Sequence, residues 1–416
     1  MKYEATGELG VWLLGERAGT LWIENGGLRF RYDTHWLEHS GVMALSQSLP
    51  LQVEPFDDRV CRPFFAGLLP EGELRRRIAQ QCQLSQANDF GLLAAIGGDC
   101  AGAVSLTPED QAPEPAEVEW LEPTQLITLL AELPQRPMLA QRDGLRLSLA
   151  GAQDKLPVVV EGQRLGLPKG SAASTHILKP AIAAVDDSVT NEAFYMALAR
   201  RMKLRVADTQ ILMAADQRIL LVRRYDRRRA DDGAWSRLHQ EDFCQALGVP
   251  PDLKVQNEGG PDLQACFSLL RRATRPSAPE VIRLLDAVTF NALIGNHDAH
   301  AKNFSILYQQ QRGVLAPLYD LLCTAVYPTL TDKMAMKVGS KYRFNEVQVR
   351  HWEQLAKAAG LSGAQTKKRA AGIAKRLPSC ARGLQTEALY SGQPLVERII
   401  SLIEQRCALT LERLNT

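Results

Sequence analysis

Three polar residues in the second half of the chain have the types and the spacing of a phosphoryl-transfer site. Asn303 follows Asp298 after four intervening residues, and Asp320 comes after a further stretch of mostly apolar sequence. In enzymes of the protein-kinase type, an Asp accepts the proton of the substrate hydroxyl, while an Asn and a second Asp hold Mg²⁺. The pattern therefore predicts a site for ATP and Mg²⁺ if folding brings the three residues together.

A helix is predicted directly before these residues. Apolar side chains recur at i, i+3, i+4 and i+7, and Gly295-Asn296 provides a stop signal after Leu293. The helix should therefore end just before Asp298 and leave it in a loop. The apolar positions are Val281, Leu284, Leu285 and Val288.

A β-hairpin is predicted after this loop. Phe304–Tyr308 and Val314–Tyr319 have the pattern of two short strands, and Gln309–Gly313 joins them. Because a hairpin brings its two ends together, we expect Asn303 and Asp320 to become neighbours, with Asp298 on the adjacent loop.

The same loop is open to two other interpretations. His297, Asp298 and His300 could be the metal ligands of a hydrolase, or Asp298 and Asn303 could simply cap turns. The loop by itself does not distinguish a kinase-like site from these alternatives. The choice between these interpretations depends on other parts of the sequence.

The composition is that of an ordinary globular protein. The chain has 416 residues, of which 45% are hydrophobic and 23% are charged, and this length suits two or three domains. It carries 49 Lys and Arg residues against 47 Asp and Glu residues, so its net charge of +2 does not itself imply a nucleic-acid partner. No apolar run reaches transmembrane length, and no membrane association is expected.

The eight cysteines are dispersed along the chain, without a C-x-x-C pair. This spacing argues against a zinc site or a disulfide framework, and reduced thiols are typical of cytosolic proteins. The N-terminus leads into no apolar segment of the kind found in signal peptides. A cytoplasmic protein is therefore expected.

Basic charge is concentrated in short runs, which are more often solvated faces than binding patches. The runs are Arg75–Arg77, Arg227–Arg229, Lys367–Arg369 and Lys375–Arg376. The last two runs lie on one predicted helix, where neighbours at i+3, i+4 and i+7 share a face. They could contact DNA phosphates when a partner holds the protein on DNA, or they could be a solvated face.

Two further parts of the sequence would complete a nucleotide site. Lys179 ends the predicted strand His176–Lys179, which Pro180 should terminate, and Glu192 lies on the following helix. A strand Lys that pairs with a helix Glu directs a cation at ATP phosphates in kinases, although a strand Lys can also be a surface charge. The small residues Ala150-Gly151-Ala152 could let backbone N–H groups approach phosphate, or could form an ordinary turn.

An acidic, proline-rich segment, Thr107–Glu117, lacks large apolar side chains and marks the best domain boundary. Strands are predicted in the central region, and helices dominate from about His239. This order predicts an α+β architecture with two lobes.

Several separate blocks of this sequence resemble the HipA family, the serine/threonine kinase toxins of bacterial toxin–antitoxin modules. The resemblance covers nearly the whole length in the family's order, which makes it highly specific. The blocks are Ser46–Leu51, Phe65–Pro70, Phe90–Leu106, Ser148–Lys155, His176–Pro180, Asn191-Glu192, Arg224–Arg227, Gln240–Gly248, Asp298–Ser305 and Tyr319-Asp320.

The resemblance implies an α+β fold with a bilobal, protein-kinase-like body and a small N-terminal α/β domain. It also implies a small DNA-binding antitoxin (HipB-like), operator DNA reached through that complex, and a protein substrate, which in some relatives is an aminoacyl-tRNA synthetase. A catalytically silent co-repressor scaffold would keep the fold without phosphoryl transfer. The expected divisions are a HipA N-terminal-like domain (1–106), an acidic Pro-rich linker (107–118), a kinase N-lobe-like region (119–238) and a helical C-lobe-like region (239–416).

The resemblance also implies roles for single residues. Asp298 matches the family's catalytic Asp, and Asn303 and Asp320 match its metal ligands. Ser148 matches the serine whose autophosphorylation expels the phosphate loop and switches the kinase off. The residues expected to bind ATP are Ala150, Gly151, Ala152, Gln153, Asp154, Lys155, Lys179, Arg223, Arg224, Tyr225, His300, Asn303, Tyr319 and Asp320.

Two positions depart from the related patterns. Arg223 stands where the family's adenine hinge usually carries an acidic residue; backbone groups normally hold adenine, so ATP binding should survive. Ordinary protein kinases have a Lys two residues after the catalytic Asp, where this chain has His300. Lys302, two residues further on, is therefore a secondary site candidate, as is Glu192.

Overall fold

A computed structural model describes residues 7–108, 111–231, 233–309 and 312–415. Residues 109–110 of the predicted linker, residues 310–311 of the predicted turn and the first six residues of the predicted N-terminal domain lie outside the described residues. The chain forms two compact units. The first comprises Met1–Pro180, Leu212–Asp252 and Leu307–Gln311, and the second comprises Ala181–Ile211, Leu253–Ile306 and Arg312–Thr416.

The first unit begins with a four-stranded antiparallel sheet. Leu28, Phe30 and Tyr32 alternate along one strand and are all buried, because every second side chain of a strand points to the same face. In sheet order the strands are Gly27–Tyr32, Glu16–Glu24, Glu8–Leu13 and Val104–Pro108, and the helices of this part are Thr34–Glu38, Asp58–Gly67, Gly72–Gln81 and Asp89–Ile96.

A six-stranded sheet follows in the chain. Its buried side chains, such as Leu178 and Leu221, belong to the same hydrophobic cluster as Phe30 and Leu93 of the N-terminal part. One continuous core therefore stabilises both parts. In sheet order the strands are Glu117–Leu121, Arg164–Lys169, Leu156–Glu161, His176–Pro180, Gln217–Arg223 and Thr209–Ala214, and the shorter elements are the helices Pro123–Glu132, Pro137–Leu139 and Phe243–Leu247 and the strands Arg227–Arg229, Trp235–Arg237 and Gln240–Asp242.

Lys179 lies in the predicted strand, which ends at Pro180, one residue later than expected. The strand includes Pro180, which pairs with Ile219 of the neighbouring strand. A proline at the last position of a strand loses only one N–H donor, and its fixed φ is compatible with extended backbone, so the strand tolerates it there.

The second unit is mainly helical. The last eight residues of the helix Ser277–Ile294 are all buried, and this helix packs against the helices Leu263–Ala273, Gly363–Gln385 and Pro394–Asn415. This packing fixes the position of the helix end, from which the next residues start. No helix in the described parts of the chain is both long and apolar enough to span a membrane. The long helices are Ser188–Arg201, Leu263–Ala273, Ser277–Ile294, Val349–Ala359, Gly363–Gln385 and Pro394–Asn415, and the strands are Arg312–Leu315, Lys333–Val338 and Lys341–Arg343. The strand Ser305–Gln309 begins in this unit and ends in the first.

The predicted hairpin forms, with a different second strand. Arg312–Leu315 replaces the predicted Val314–Tyr319. The residues after Leu315 leave the hairpin because they bond elsewhere: Leu318 N donates to Arg205 O at 2.8 Å, and Ala207 N donates to Leu318 O at 2.9 Å. This second pairing directs the chain toward Asp320.

Candidate active site

The helix Ser277–Ile294 ends at Gly295, as the sequence predicts. Gly295 has a φ of +75°, in the left-handed region that glycine favours. A side chain here would also clash, since an added Cβ would lie 2.8 Å from the Ala325 Cβ. Asn296 N donates to Asn291 O at 3.0 Å and completes the cap. The loop that carries Asp298 therefore leaves the helix in a defined direction.

The half-buried Arg406 and the buried Tyr195 bind the last carbonyl groups of this helix. Arg406 Nε and Nη2 donate to Ala292 O at 3.0 and 2.7 Å, and the Tyr195 hydroxyl donates to Ile294 O at 3.3 Å. A cation at a helix C-terminus interacts favourably with the helix dipole. Burial lowers the pKa of Arg406 to about 10, so its guanidinium remains charged at neutral pH. These contacts fix the helix end from which the loop starts.

Asp298 is held by its backbone while its carboxylate faces solvent. Its N–H donates to Asn296 Oδ1 at 3.1 Å, and Asn296 Nδ2 in turn donates to Asn291 Oδ1 at 2.9 Å. The Asp298 side chain is 60% exposed, and its Oδ1 lies 4.0 Å from His300 Nε2. A carboxylate in this arrangement is accessible to a hydroxyl group from outside.

Asn303 and Asp320 are neighbours, which confirms the prediction from the hairpin. Asn303 Nδ2 donates to Asp320 Oδ2 at 3.0 Å. Asn303 Oδ1 is buried and has no hydrogen-bond partner among the described residues. Asp320 has a φ of +57°, and such left-handed backbone at a residue other than glycine is concentrated at functional sites.

Tyr319 connects the two segments that carry this pair. Its hydroxyl donates to Lys302 O at 2.6 Å and lies 2.9 Å from the Ser305 Oγ. Lys302 is buried. The residue before Asp320 is thus bonded to residues on both sides of Asn303, which keeps the pair together.

A third set of contacts holds the segment after Asp320. Asn191 Oδ1 accepts from Cys323 N at 2.8 Å, and Asn191 Nδ2 donates to Cys323 O at 3.0 Å and to the Tyr327 hydroxyl at 2.9 Å. The Tyr327 hydroxyl donates to Asp186 O at 2.7 Å. The helix Ser188–Arg201, which carries Glu192, therefore also positions the segment that follows Asp320.

The Asn303–Asp320 pair fits a hard divalent cation. The orphaned amide oxygen of Asn303 and the adjacent carboxylate of Asp320 are oxygen ligands, which Mg²⁺ prefers, and Mg²⁺ sites on proteins commonly use only one or two protein ligands. The alternative hydrolase site fits less well, because its expected ligands His297, Asp298 and His300 do not come together as a metal-binding group. Across the described ranges, no three or more His, Cys, Asp or Glu side chains form a metal-binding group.

The candidate phosphate-binding residues of the first unit make contacts with their neighbours. Lys179 is nearly buried in its strand, between the strands Leu156–Glu161 and Gln217–Arg223. In the small-residue loop, Gly151 has a φ of +108° and its carbonyl accepts from Glu71 N at 3.1 Å. The other loop contacts are Lys155 Nζ to Ala150 O (2.5 Å), Arg77 Nη2 to Asp154 Oδ1 (2.8 Å) and Gln153 Nε2 to Pro180 O (3.2 Å).

Ser148 lies before this loop and is completely buried. Its hydroxyl donates to Leu68 O at 2.8 Å, and its N–H donates to Asp99 O at 3.1 Å. A phosphate group does not fit where the serine hydroxyl is enclosed in this way. Modification of Ser148 therefore requires the segment to move.

The Arg224 side chain is not available to a nucleotide. Its guanidinium is buried, 2.8 Å from Asp226 and 3.4 Å from Asp99, and its N–H donates to Thr175 O. Only its carbonyl group could bind adenine. Arg223 is exposed, and the Tyr225 hydroxyl donates to the Gln240 side chain.

Arg224 belongs to a buried ionic cluster that the sequence did not predict. Arg227 and Arg237 each lie 2.9 Å from Asp99. Burial raises the pKa of Asp99, but the charges of Arg227, Arg237 and Arg224 outweigh this effect and lower it well below its usual value. In the run Arg227–Arg229, Arg227 is therefore buried, and only Arg228 and Arg229 are exposed to solvent.

Two family models match the chain: the HipA N-terminal domain at residues 9–107 and the HipA-like C-terminal domain at residues 147–381. The second of these matches more than half of the chain. The chain belongs to the HipA family.

Relatives with names and solved structures agree with this assignment. Y4mE of Sinorhizobium fredii, which carries a kinase name, is 49% identical over 360 residues, covering 85% of this chain and 86% of that protein. The serine/threonine-protein kinase toxin HipA of Shewanella oneidensis is 28% identical over 359 residues, covering 83% and 82%. A chain from the solved S. oneidensis MR-1 complex of HipA, HipB and operator DNA matches with a TM-score of 0.83 at 25% identity, covering 98% of this chain and 96% of that chain.

These similarities confirm the predicted fold class, a mixed α+β fold of the HipA type. Homology to a named HipA toxin supports a serine/threonine kinase toxin function, and the kinase names of the relatives support protein kinase activity.

Proposed function

We propose that this protein transfers the γ-phosphoryl group of ATP to a Ser or Thr hydroxyl of a protein, with Mg²⁺ as cofactor. The observation that carries the proposal is the contact between Asn303 and Asp320, which places an amide oxygen without a described partner beside a carboxylate. Asp298 lies on the loop that precedes them, with an exposed carboxylate.

Asp298 is the proposed catalytic base. A general base must reach the substrate hydroxyl, and the Asp298 carboxylate is the exposed end of a residue whose backbone is fixed by Asn296. In this role Asp298 orients the hydroxyl and accepts its proton as the phosphoryl group is transferred. His300 lies beside this carboxylate, with its Nε2 4.0 Å from Asp298 Oδ1.

Asn303 and Asp320 are the proposed Mg²⁺ ligands. When bound, Mg²⁺ would neutralise charge on the ATP phosphates. The protein supplies oxygen ligands held in place by the Tyr319 hydroxyl and by the Asn191 contacts with Cys323. Because these supports are already formed, little reorganisation is needed to bind the cation.

The proposed ATP contacts come from the first unit and from the residues around Asp320. Lys179 supplies a cation, and Arg223, Tyr225 and the Arg224 carbonyl form the proposed adenine hinge. Glu192 and Lys302, both buried, are proposed as supporting charges. The remaining proposed ATP contacts are Ala150, Gly151, Ala152, Gln153, Asp154, Lys155, His300 and Tyr319.

Ser148 is the proposed site of inhibitory autophosphorylation. A phosphate adds a charge of about −1.5 to −2, which cannot stay where the hydroxyl now donates to Leu68 O. We propose that the modified segment leaves its place and takes the loop Ala150–Lys155 with it, which removes the phosphate contacts.

The antitoxin and DNA partners are proposed from the relatives, and a cytoplasmic location is proposed from the sequence. HipA of S. oneidensis was solved with HipB and operator DNA, so we propose a small DNA-binding antitoxin and operator DNA for this chain too. The protein substrate is proposed to be a cytoplasmic protein, with an aminoacyl-tRNA synthetase as the first one to test. The divisions 1–106, 107–118, 119–238 and 239–416 remain our proposed domain bounds.

One assay tests the proposed activity. Purified protein is incubated with γ-labelled ATP with and without Mg²⁺, and label on the protein or on added substrates is measured. We expect Mg²⁺-dependent labelling. Nucleotide binding without any label transfer would instead indicate the silent scaffold, and hydrolysis of other substrates that requires a transition metal would indicate the hydrolase.

A further inference from the structure

A cavity of about 620 Å³ opens within the second unit, and none of its lining residues belongs to the candidate active site. Its walls are the turn after the helix Ser188–Arg201, one face of the helix Ser277–Ile294 and one face of the helix Gly363–Gln385. This volume is in the range of pockets that bind small organic ligands.

The cavity is strongly basic. Four cations line it, against the single carboxylate of Asp286. Arg369 neutralises Asp286 with two hydrogen bonds, of 2.8 and 2.5 Å. In the parts of the chain that the structure describes, the other three cations, Lys203, Lys368 and Arg376, form no ion pair or side-chain hydrogen bond. Their charge is therefore available to an anion.

The inner surface of the cavity is apolar. Phe290 is buried, and Leu204 and Ile373 are half-buried. Gly372 leaves the helix backbone open at this point, because an added Cβ would meet no atom within 4 Å. A flat ring could lie on this surface while charged groups reach the three cations.

We propose that the cavity binds a small organic molecule that carries an aromatic ring and two or more phosphate groups. Three cations around one opening suit several negative charges, since charge-assisted hydrogen bonds to phosphate are strong. A DNA duplex could contact the exposed ends of Lys368 and Arg376, but it is too wide to enter the cavity. The apolar inner surface favours the small ligand, and DNA is the competing outcome of the test.

Isothermal titration with GDP and with inorganic pyrophosphate tests the proposal on the full chain. We expect both probes to bind, GDP more tightly because its ring contacts the inner surface. Lys368→Glu and Arg376→Glu should each weaken binding about tenfold or more. Gly372→Leu places a bulky apolar side chain at the cavity wall without changing its charge and should weaken GDP binding about tenfold or more. Gly372→Ala, whose methyl group has free space, should retain it.

The variants also separate this site from others. Binding of GDP that is equal in wild type and Gly372→Leu takes place elsewhere and overturns the proposal, as does the absence of binding of both probes. Duplex DNA binding that is lost in Lys368→Glu but kept in Gly372→Leu, without GDP binding, would show that these residues are a DNA-contacting surface and would also overturn it.

Discussion

The side-chain amide of Asn303 donates a 3.0 Å hydrogen bond to Asp320 Oδ2. This contact depends on two local features: the tight turn Ala301–Asn303 and the left-handed backbone of Asp320, with a φ of +57°. The amide oxygen of Asn303 stays buried without a partner among the described residues. The pair therefore has the properties of a preformed cation site, in which one ligand oxygen is already desolvated.

Two substitutions of Asp320 should distinguish the effect of its charge on Mg²⁺ binding from the effect of its left-handed backbone on stability. Asn tolerates left-handed backbone and can still accept the bond from Asn303, so Asp320→Asn should weaken Mg²⁺-dependent ATP binding at least tenfold with little change in Tm. Asp320→Ala should lose the same binding and also stability, by about 1 kcal/mol, because alanine is strained at this φ. Titration calorimetry and thermal unfolding give both quantities. An unchanged Mg²⁺ requirement in Asp320→Asn would rule out the metal role.

The Asn191 contacts should stabilise the segment after Asp320. Asn191→Leu removes three hydrogen bonds and leaves the buried Cys323 N–H and C=O groups unsatisfied, so we expect a loss of about 3 kcal/mol in the free energy of unfolding. Hydrogen exchange of residues 320–327 should accelerate. The control is the exposed Asn257→Leu, which should change stability by about 0.5 kcal/mol or less. An equal loss of unfolding free energy in Asn191→Leu and Asn257→Leu would contradict a stabilising role of the Asn191 contacts.

Phosphorylation should reach Ser148 despite its burial. Mass spectrometry of protein incubated with Mg²⁺ and ATP should place phosphate on Ser148, with loss of ATP binding and faster hydrogen exchange of residues 148–155. Ser148→Ala removes one hydrogen bond to Leu68 O, about 1 kcal/mol, and should keep the kinase active. Phosphate found only at other residues, or full ATP affinity of the Ser148-phosphorylated form, would argue against the switch.

Glu241 should make the stability of the first unit depend on pH. Its buried carboxylate accepts from Gln47 N at 3.0 Å and from the Tyr308 hydroxyl at 2.5 Å, and burial raises its pKa from 4.5 to about 7. Between these two values the unfolded chain is ionised while the folded protein still holds the proton, so stability falls as pH rises through this window.

Glu241→Gln removes this titration. The variant should be more stable than wild type above pH 7, by at most about 3 kcal/mol, and the difference should shrink toward pH 4.5. Urea unfolding at about pH 5, 6, 7 and 8 gives the free energy of unfolding of wild type and variant at each pH. A difference that does not vary with pH would show that Glu241 does not titrate in this range.

Local patterns in the sequence were sufficient to predict the elements around Asp298. The apolar repeat and Gly295 predicted the helix end, and the hairpin predicted the contact of Asn303 with Asp320. The helix end was predictable because it depends on neighbours in the sequence. The contact of Asn303 with Asp320 was predicted correctly from the hairpin, although the long-range pairing of Leu318 with Arg205 and Ala207 also directs the chain toward Asp320. The second strand of the hairpin was misplaced, since the pairing of Leu318 with Arg205 and Ala207 involves residues more than a hundred positions away.

Features that depend on distant residues were not visible in the sequence. Arg406 binds a helix end that lies 114 positions earlier, and Asp99 meets Arg224 from 125 positions away. An arginine run such as Arg227–Arg229 gave no sign that its first member is buried, because its carboxylate partner comes from another part of the chain. Long-range ion pairs of this kind have no local sequence signal.

The most direct test of the central claim is the rate of phosphoryl transfer in Asp298→Asn. This variant keeps the size of the side chain and the backbone bond to Asn296 but removes the proton acceptor. With labelled ATP and Mg²⁺ in a single-turnover experiment, we expect transfer to fall about 10²- to 10⁴-fold while the Kd for ATP stays within about twofold. A rate of labelling equal to that of wild type, at equal ATP occupancy, would contradict the proposed catalytic role of Asp298.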